Sequence, residues 1–170
     1  YAASKACGDL VARCYAETYG LPIVVARITN SFGGADPHTG HLITGTLRSI
    51  LRGEQPVVRG NGTAAKAYMR VDDSIEALVR RAECLREKGI AGEAFNIVPE
   101  RPLSVLEVVQ TALRVLERPD LSPLVLGTGD EQEESEHLSG QKMHERLGWV
   151  PRRSFEEGLR TAARELSAAE

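Results

Sequence analysis

The strongest constraint on the fold is a short β-branched run that directly follows a helix-length segment. Ala2 to Tyr19 has the apolar spacing of a helix, which Gly20 is expected to end. Pro22 then opens the run Ile23-Val24-Val25, which is typical of a strand buried in a parallel sheet. We therefore expect an α/β fold.

Further elements follow from periodicity, turn residues and helix caps. Helices are predicted at Leu42 to Leu51, from Asp72 or Asp73 onward, and after the capping boxes Ser104–Glu107 and Ser154–Glu157. Strands are predicted at Pro56 to Arg59, Tyr68 to Val71, Ala94 to Val98 and Leu124 to Leu126. The polar, glycine-rich segment Asn30 to Gly40 is predicted to be a loop.

Composition excludes several classes of function. The 170 residues contain 24 acidic and 21 basic side chains, which is not the basic surplus of a nucleic-acid-binding protein, and no apolar stretch is long enough for a membrane helix. Cys7, Cys14 and Cys84 form no CxxC pair, which predicts reduced thiols in the cytoplasm. The four histidines lack metal-ligand spacing, and the acidic segment Asp130 to Glu136 is expected to be a solvated loop rather than a metal site.

Tyr1 and Lys5 are the first candidate catalytic residues. Four residues apart on a helix, they share one face. A lysine cation there favours the tyrosinate and lowers the tyrosine pKa, which suits a general base acting on a sugar hydroxyl. Taken alone, a Tyr-x-x-x-Lys spacing is also compatible with a surface pair that has no role.

Several short motifs follow this pair in a fixed order. They are Tyr19-Gly-Leu-Pro22, Arg27-x-x-Asn30, Phe32-Gly-Gly34, Gly60-Asn-Gly-Thr63, Tyr68-x-x-Val71-Asp-Asp73, Ala94-Phe-Asn96-Ile and Leu147-Gly-Trp149-x-Pro151. The ordered set resembles the extended short-chain dehydrogenase/reductases, and among them the sugar-nucleotide epimerases and dehydratases. Phe32 to Asp36 and Gly45 to Arg59 are most similar to the CDP-glucose 4,6-dehydratases.

The resemblance implies a Rossmann-like fold, of which this chain would be the C-terminal part, plus a small mixed α/β substrate lobe. Residues 1–35 would end the NAD-binding domain, and residues 36–170 would mainly form the sugar-nucleotide lobe with interleaved sheet elements. It also implies NAD rather than NADP as cofactor and a nucleotide-sugar as substrate. C4 of glucose would be oxidised, water lost across C5 and C6, and hydride returned to C6.

Site residues are carried over position by position. The resemblance implies that Tyr1 is the catalytic base, that Lys5 is its partner and contacts the nicotinamide ribose, and that the Thr29 backbone touches the nicotinamide. The nucleotide-sugar residues would be Asn30 and Lys66 at the phosphates, Arg59 near the base, and Asn96 in the pocket. Without the resemblance, Asn30 would be a loop or cap residue, Arg59 a solvated strand end, and Asn96 a turn-side hydrogen-bonding residue.

Departures from the family pattern leave other functions open. Lys66-Ala67 replaces the Arg-Asp of the family, and lysine offers a point charge where arginine offers a planar fork. The glycine-rich dinucleotide loop is not found in this sequence, so we expect a piece of a longer enzyme that is inactive alone. An epimerase, or a non-catalytic nucleotide-binding or dimerisation lobe, are the alternatives. The Tyr1–Tyr19 helix is expected to form a homodimer, although a monomer core could use the same face.

Overall fold

The computed structural model describes residues 1–34, 36–87, 89–127 and 138–169, with the backbone alone at 86 and 87. The predicted acidic loop Asp130 to Glu136 and His137 lie outside the described residues. The helices are α1 (Ala2–Tyr19), α2 (Leu42–Leu51), α3 (Val71–Glu87), α4 (Val105–Val115), α5 (Gln141–Leu147) and α6 (Phe155–Ala169). The strands are β1 (Val25–Ile28), β2 (Asn30–Phe32), β3 (Val57–Val58), β4 (Ala65–Lys66), β5 (Tyr68–Arg70), β6 (Ala94–Ile97), β7 (Leu103–Ser104) and β8 (Leu124–Val125).

The strands pair mostly in parallel, as the buried β-branched run predicted. β1 pairs with β6, β2 with β5 and β3 with β8 in parallel, whereas β4 and β7 are antiparallel. The expectation of an α/β fold is therefore confirmed. Because β1 pairs with β6, the two regions predicted as 1–35 and 36–170 share sheet elements, and the boundary between them stays a prediction.

Local signals in the sequence place most helix ends correctly. Gly20 takes the left-handed conformation, with φ 62°, and ends α1 as predicted. Both hydrogen bonds of the Ser104–Glu107 capping box are present at the start of α4. The Ser154 hydroxyl and Glu157 form the second box before α6.

Two apolar clusters form the core on either side of the paired strands. The first packs α2, α4 and α6 around fully buried Leu47, Val108 and Leu159. The second surrounds Phe95 of β6 and contains Trp149, which packs with Met143 and Leu147 of α5. These clusters fix the relative positions of the strands that carry the candidate site.

The structure corrects two expectations. The segment predicted as a loop from Asn30 begins with strand β2, because its residues pair with β5. β1 starts at Val25, two residues after the predicted start of the run. Of the two possibilities that the sequence left open for the apolar face of α1, a monomer core does not use it, since Leu10 is 64% and Val11 is 56% exposed.

The described residues contain no helix that could span a membrane and no group of potential metal ligands. Cys7 and Cys14 are exposed, Cys84 is buried, and all three are free thiols.

Candidate functional site

The Tyr1–Lys5 pair lies at the start of α1. Tyr1 is 96% exposed, and the Nζ of Lys5 lies 5.4 Å from the centre of its ring. The Tyr1 carbonyl accepts hydrogen bonds from the Lys5 N–H at 3.1 Å and from the Ser4 hydroxyl at 2.7 Å. The helical turn thus holds the ammonium group against the tyrosine, with the phenol open to a ligand.

Thr29 and Asn30 lie where β1 passes into β2. The Thr29 N–H donates to the Ile97 carbonyl at 3.2 Å, and the buried Thr29 hydroxyl makes no hydrogen bond to the residues that the structure describes. The Asn30 amide donates to the Ala67 carbonyl at 3.2 Å. Since ligands of parallel α/β sheets bind beyond the carboxyl ends of the strands, both residues stand where such a ligand would lie.

Asn30 also links this strand end to Lys66. Its hydrogen-bond acceptor, Ala67, directly follows Lys66 in the chain. Lys66 is half-buried in β4 and pairs with Leu103 of β7. The two residues that the resemblance assigns to the phosphates therefore lie on neighbouring segments.

Arg59 lines a cleft, here called the Arg59 cleft, of about 1040 Å³ between α2 and the β3 end. Its lining includes Arg48 of α2, Arg52 directly after α2, His41, and the turn Gly60–Thr63. Cationic side chains together with turn amides suit an anionic ligand such as a phosphate ester. Arg48 and Arg52 were not among the predicted site residues. Their spacing of four residues was the signal in the sequence that could have placed their side chains next to each other.

The turn beside Arg59 is built by local hydrogen bonds. The Asn61 side-chain oxygen accepts from the Thr63 N–H at 2.9 Å and from the Thr63 hydroxyl at 2.7 Å. Gly62 has φ 79°, and a Cβ there would lie 3.2 Å from the Leu106 side chain. A glycine is therefore required for this wall of the cleft to pass so close to α4.

Asp36 organises the loop at the other end of the cleft. Its carboxylate accepts hydrogen bonds from the His38 N–H at 3.0 Å and the Thr44 hydroxyl at 2.9 Å, and pairs with His41 Nδ1 at 2.7 Å. Burial by itself would raise the Asp36 pKa, but these hydrogen bonds outweigh it and lower the pKa to about 2. His38 and His41 thus shape this loop, as expected for histidines without metal-ligand spacing.

Asn96 lies apart from the Arg59 cleft. It sits on β6, and its amide donates to the Ser139 carbonyl at 3.2 Å. This is a hydrogen bond to a loop backbone, as in the structural alternative that the sequence left open. The structure therefore brings Asn30 and Lys66 onto neighbouring segments and places Arg59 in a cleft, whereas Asn96 lies opposite Arg27 in the β1–β6 pair and outside the lining of that cleft.

Comparison with known proteins assigns the family. Residues 1–97 match the model of the NAD dependent epimerase/dehydratase family, which is more than half of the chain. This chain belongs to that family. The matched residues contain Tyr1, Lys5, Thr29, Asn30, Arg59, Lys66 and Asn96.

Individual members of the epimerase/dehydratase family resemble the chain at moderate identity. The dTDP-glucose 4,6-dehydratase of Escherichia coli is 30% identical, with 94% of this chain and 46% of the relative covered. The low-salt glycan biosynthesis protein Agl12 of Haloferax volcanii is 32% identical, with 94% and 49% covered. The chain thus spans about half the length of the curated relatives it matches.

Solved structures of the family superpose over nearly the whole chain. The UDP-glucose 4-epimerase of Thermotoga maritima, solved with UDP-glucose, has a TM-score of 0.87 at 27% identity, covering 99% of this chain and 53% of the other. The dTDP-glucose 4,6-dehydratase of Bacillus anthracis, in complex with NAD, has a TM-score of 0.80 at 26% identity, covering 99% and 52%.

Proposed function

We propose that this chain is the nucleotide-sugar-binding part of an NAD-dependent 4,6-dehydratase that converts CDP-glucose to CDP-4-keto-6-deoxyglucose. The observation that carries the proposal is the Arg59 cleft, a cationic cleft large enough for a nucleotide. The cytidine assignment rests on the resemblance to CDP-glucose 4,6-dehydratases noted in the sequence from Gly45 to Arg59, a stretch that contributes to α2 and β3 beside the cleft.

The polar residues supply distinct contacts in this proposal. Arg59 contacts the base, while Asn30 and Lys66 bind the phosphates, with lysine acting as a point charge. Arg48 and Arg52 add positive charge to the Arg59 cleft, whose lining does not include Asn30 or Lys66. The sugar would then lie towards the strand ends that carry Thr29 and Asn30.

The chain's own residues also fit a nicotinamide cofactor. Tyr1 and Lys5, at the start of α1, offer a hydroxyl and an ammonium group to its ribose, and the Thr29 backbone after β1 would contact the nicotinamide. A bound NAD would supply the hydride chemistry, in which a hydride leaves C4 of the sugar and returns at C6. Tyr1 takes the proton of the C4 hydroxyl, and the Lys5 ammonium group lies beside the tyrosine ring.

The substrate assignment can be tested by measuring the binding of nucleotide-sugars to the 170-residue chain. Calorimetric titration with CDP-glucose, dTDP-glucose and UDP-glucose should show at least tenfold tighter binding of CDP-glucose. Arg59→Gln should weaken that binding about tenfold, since a charged hydrogen bond contributes about 1.5–3 kcal/mol. Arg164→Gln on the exposed face of α6 is the matched control and should bind normally. Preference for dTDP-glucose would contradict the cytidine assignment.

Turnover tests the catalytic pair in the longer protein. Tyr1→Phe should abolish formation of the 4-keto-6-deoxy sugar while leaving the dissociation constant of CDP-glucose nearly unchanged, because only the proton-accepting hydroxyl is lost. We propose that the 170-residue chain alone binds without turnover. An unchanged rate for Tyr1→Phe would refute the assignment of the base.

An epimerase is the second candidate, favoured by the TM-score of 0.87 to a UDP-glucose 4-epimerase. Product analysis separates the two, because an epimerase returns the hydride to C4 and keeps the C6 hydroxyl. A 4-keto-6-deoxy product would exclude the epimerase, and a sugar inverted at C4 would exclude the dehydratase.

We also propose that α1 forms a homodimer through its exposed apolar face. Leu10, Val11, Tyr15 and Tyr19 are all exposed on this helix. Such a surface is typical of an interaction site. Sedimentation of the longer protein should show a dimer that Val11→Glu converts to a monomer, and a wild-type monomer would contradict it.

A further inference from the structure

A second cavity lies on another part of the molecule. This Arg152 cavity, of about 860 Å³, is enclosed by the end of β5, the segment after β6, α4, the start of α5 and residues 149–156. It shares no lining residue with the Arg59 cleft. Tyr1, Lys5, Asn30 and Lys66 are also absent from its lining. The cavity is therefore separate from the Arg59 cleft, although Tyr68 and Leu103 in its lining are the strand partners of Asn30 and Lys66.

The lining of the Arg152 cavity is cationic, although the chain as a whole has a net charge of −3. It contains five arginines, and its carboxylates are Glu100 and Glu156. Two of the arginines are held by short ion pairs. Arg70 is buried against Glu165, and Arg153 lies 2.5 Å from the buried Asp73 and 2.9 Å from Glu76.

The other three arginines are available to a ligand. Arg101 pairs with Glu107 at 3.0 Å and Arg114 with Glu156 at 3.4 Å, and both pairs are solvent-exposed. Exposed pairs of this kind contribute about 0–1 kcal/mol, so a ligand can replace them. Arg152 makes no hydrogen bond or ion pair in the described part of the chain. Guanidinium groups bind phosphate and carboxylate through two parallel hydrogen bonds.

Apolar groups form the rest of the wall. Leu138 is 51% and Val150 is 50% exposed, and both line the cavity. The half-buried rings of Tyr68 and Phe155 lie beside them, 6.5 Å apart between centroids. Trp149, the single tryptophan of the chain, is also in the lining. Aromatic and aliphatic surface of this kind can pack against a flat ring.

We propose that the Arg152 cavity is a second ligand site, which binds a nucleoside phosphate. The phosphates contact Arg101, Arg114 and Arg152, and the base packs on the apolar wall. The volume lies within the range of small-molecule sites. This site is distinct from the substrate cleft, so it holds whether or not the dehydratase proposal does.

The single tryptophan provides a readout that belongs to this cavity. We would titrate the chain with ADP and follow Trp149 fluorescence, excited at the red edge of indole absorption, where adenine does not absorb. A saturable change is expected, because the ligand alters the surroundings of the indole. Inorganic pyrophosphate should compete with ADP at about tenfold higher concentration, since it lacks the base.

Paired variants separate this site from general electrostatic attraction. Arg114→Gln combined with Arg152→Gln should weaken ADP binding at least tenfold. Arg164→Gln removes one positive charge outside the cavity and should leave ADP binding unchanged. The absence of a saturable signal would overturn the proposal. So would unaltered binding in the double variant, and equal affinity for pyrophosphate would remove the assignment to a nucleoside.

Discussion

Replacement of Glu165 by glutamine tests the link between α6 and the strand end of the candidate site. The Arg70 side chain is 4% exposed and its guanidinium is paired with Glu165 at both terminal nitrogens, one of them at 2.9 Å. Asp72 accepts from Arg70 Nε at 2.6 Å. Glu165 also accepts the Gly34 N–H at 2.8 Å. The Glu165 carboxylate therefore binds both the buried Arg70 guanidinium and the turn that follows β2.

The expected loss of stability depends on which partners of Arg70 remain when the charge of Glu165 is removed. Burial alone would lower the Arg70 pKa, but Glu165 and Asp72 outweigh it and raise the pKa. Loss of one partner from a buried pair costs about 3–5 kcal/mol. Because Asp72 stays and glutamine keeps one acceptor oxygen, we expect about 2–3 kcal/mol for Glu165→Gln. At roughly 2–4 °C per kcal/mol for a chain of this size, Tm should fall by roughly 4–12 °C.

Urea unfolding followed by circular dichroism measures this cost. The matched control is Glu156→Gln on the same helix, because its pair with Arg114 is exposed and 3.4 Å long. Glu156→Gln should lower the free energy of unfolding by about 0–1 kcal/mol. The denaturant slope should be the same in all three proteins, so that a shifted midpoint reports stability. If Glu165→Gln lost no more stability than Glu156→Gln, the buried pair would not be holding α6 to the strand end.

Two further predictions concern the Arg59 cleft. The pKa of Asp36 lies below its ordinary value of 3.8, at about 2, so its stabilising contribution is present above pH 3.8 and is lost as the pH falls through about 2. Asp36→Asn should therefore cost about 2 kcal/mol near neutral pH, and urea midpoints measured towards about pH 2 should converge with the wild type. A difference between the urea midpoints of Asp36→Asn and the wild type that stays the same at every pH would contradict this reasoning. Gly62→Ala should cost about 1–3 kcal/mol and weaken CDP-glucose binding, because its φ is 79° and the new methyl group would lie 3.2 Å from Leu106. Gly60→Ala, which meets nothing within 4 Å, is the control in the same unfolding and calorimetric assays, and equal losses in both variants would refute the role of close packing.

Features that depend on neighbours in sequence were predictable. Gly20 ends α1 because a glycine takes the left-handed conformation without a Cβ clash, and Ser104 caps α4 through a residue three positions away. The Tyr1–Lys5 contact also follows from the pitch of one helical turn. In each case the interacting groups lie within a few residues, so the sequence by itself determines the geometry.

Contacts between segments that are distant in sequence were determined only by the tertiary structure. Strand β2 has three residues and no strong pattern, and it exists because β5 lies beside it. The Arg70–Glu165 pair spans 95 residues, and the Arg59 cleft combines α2 with the turn after β3. Periodicity gives the apolar face of a helix but not what covers it, which is why the exposed face of α1 could not be assigned from sequence. Contacts between remote residues depend on how the packed elements are arranged, and no local preference encodes that arrangement.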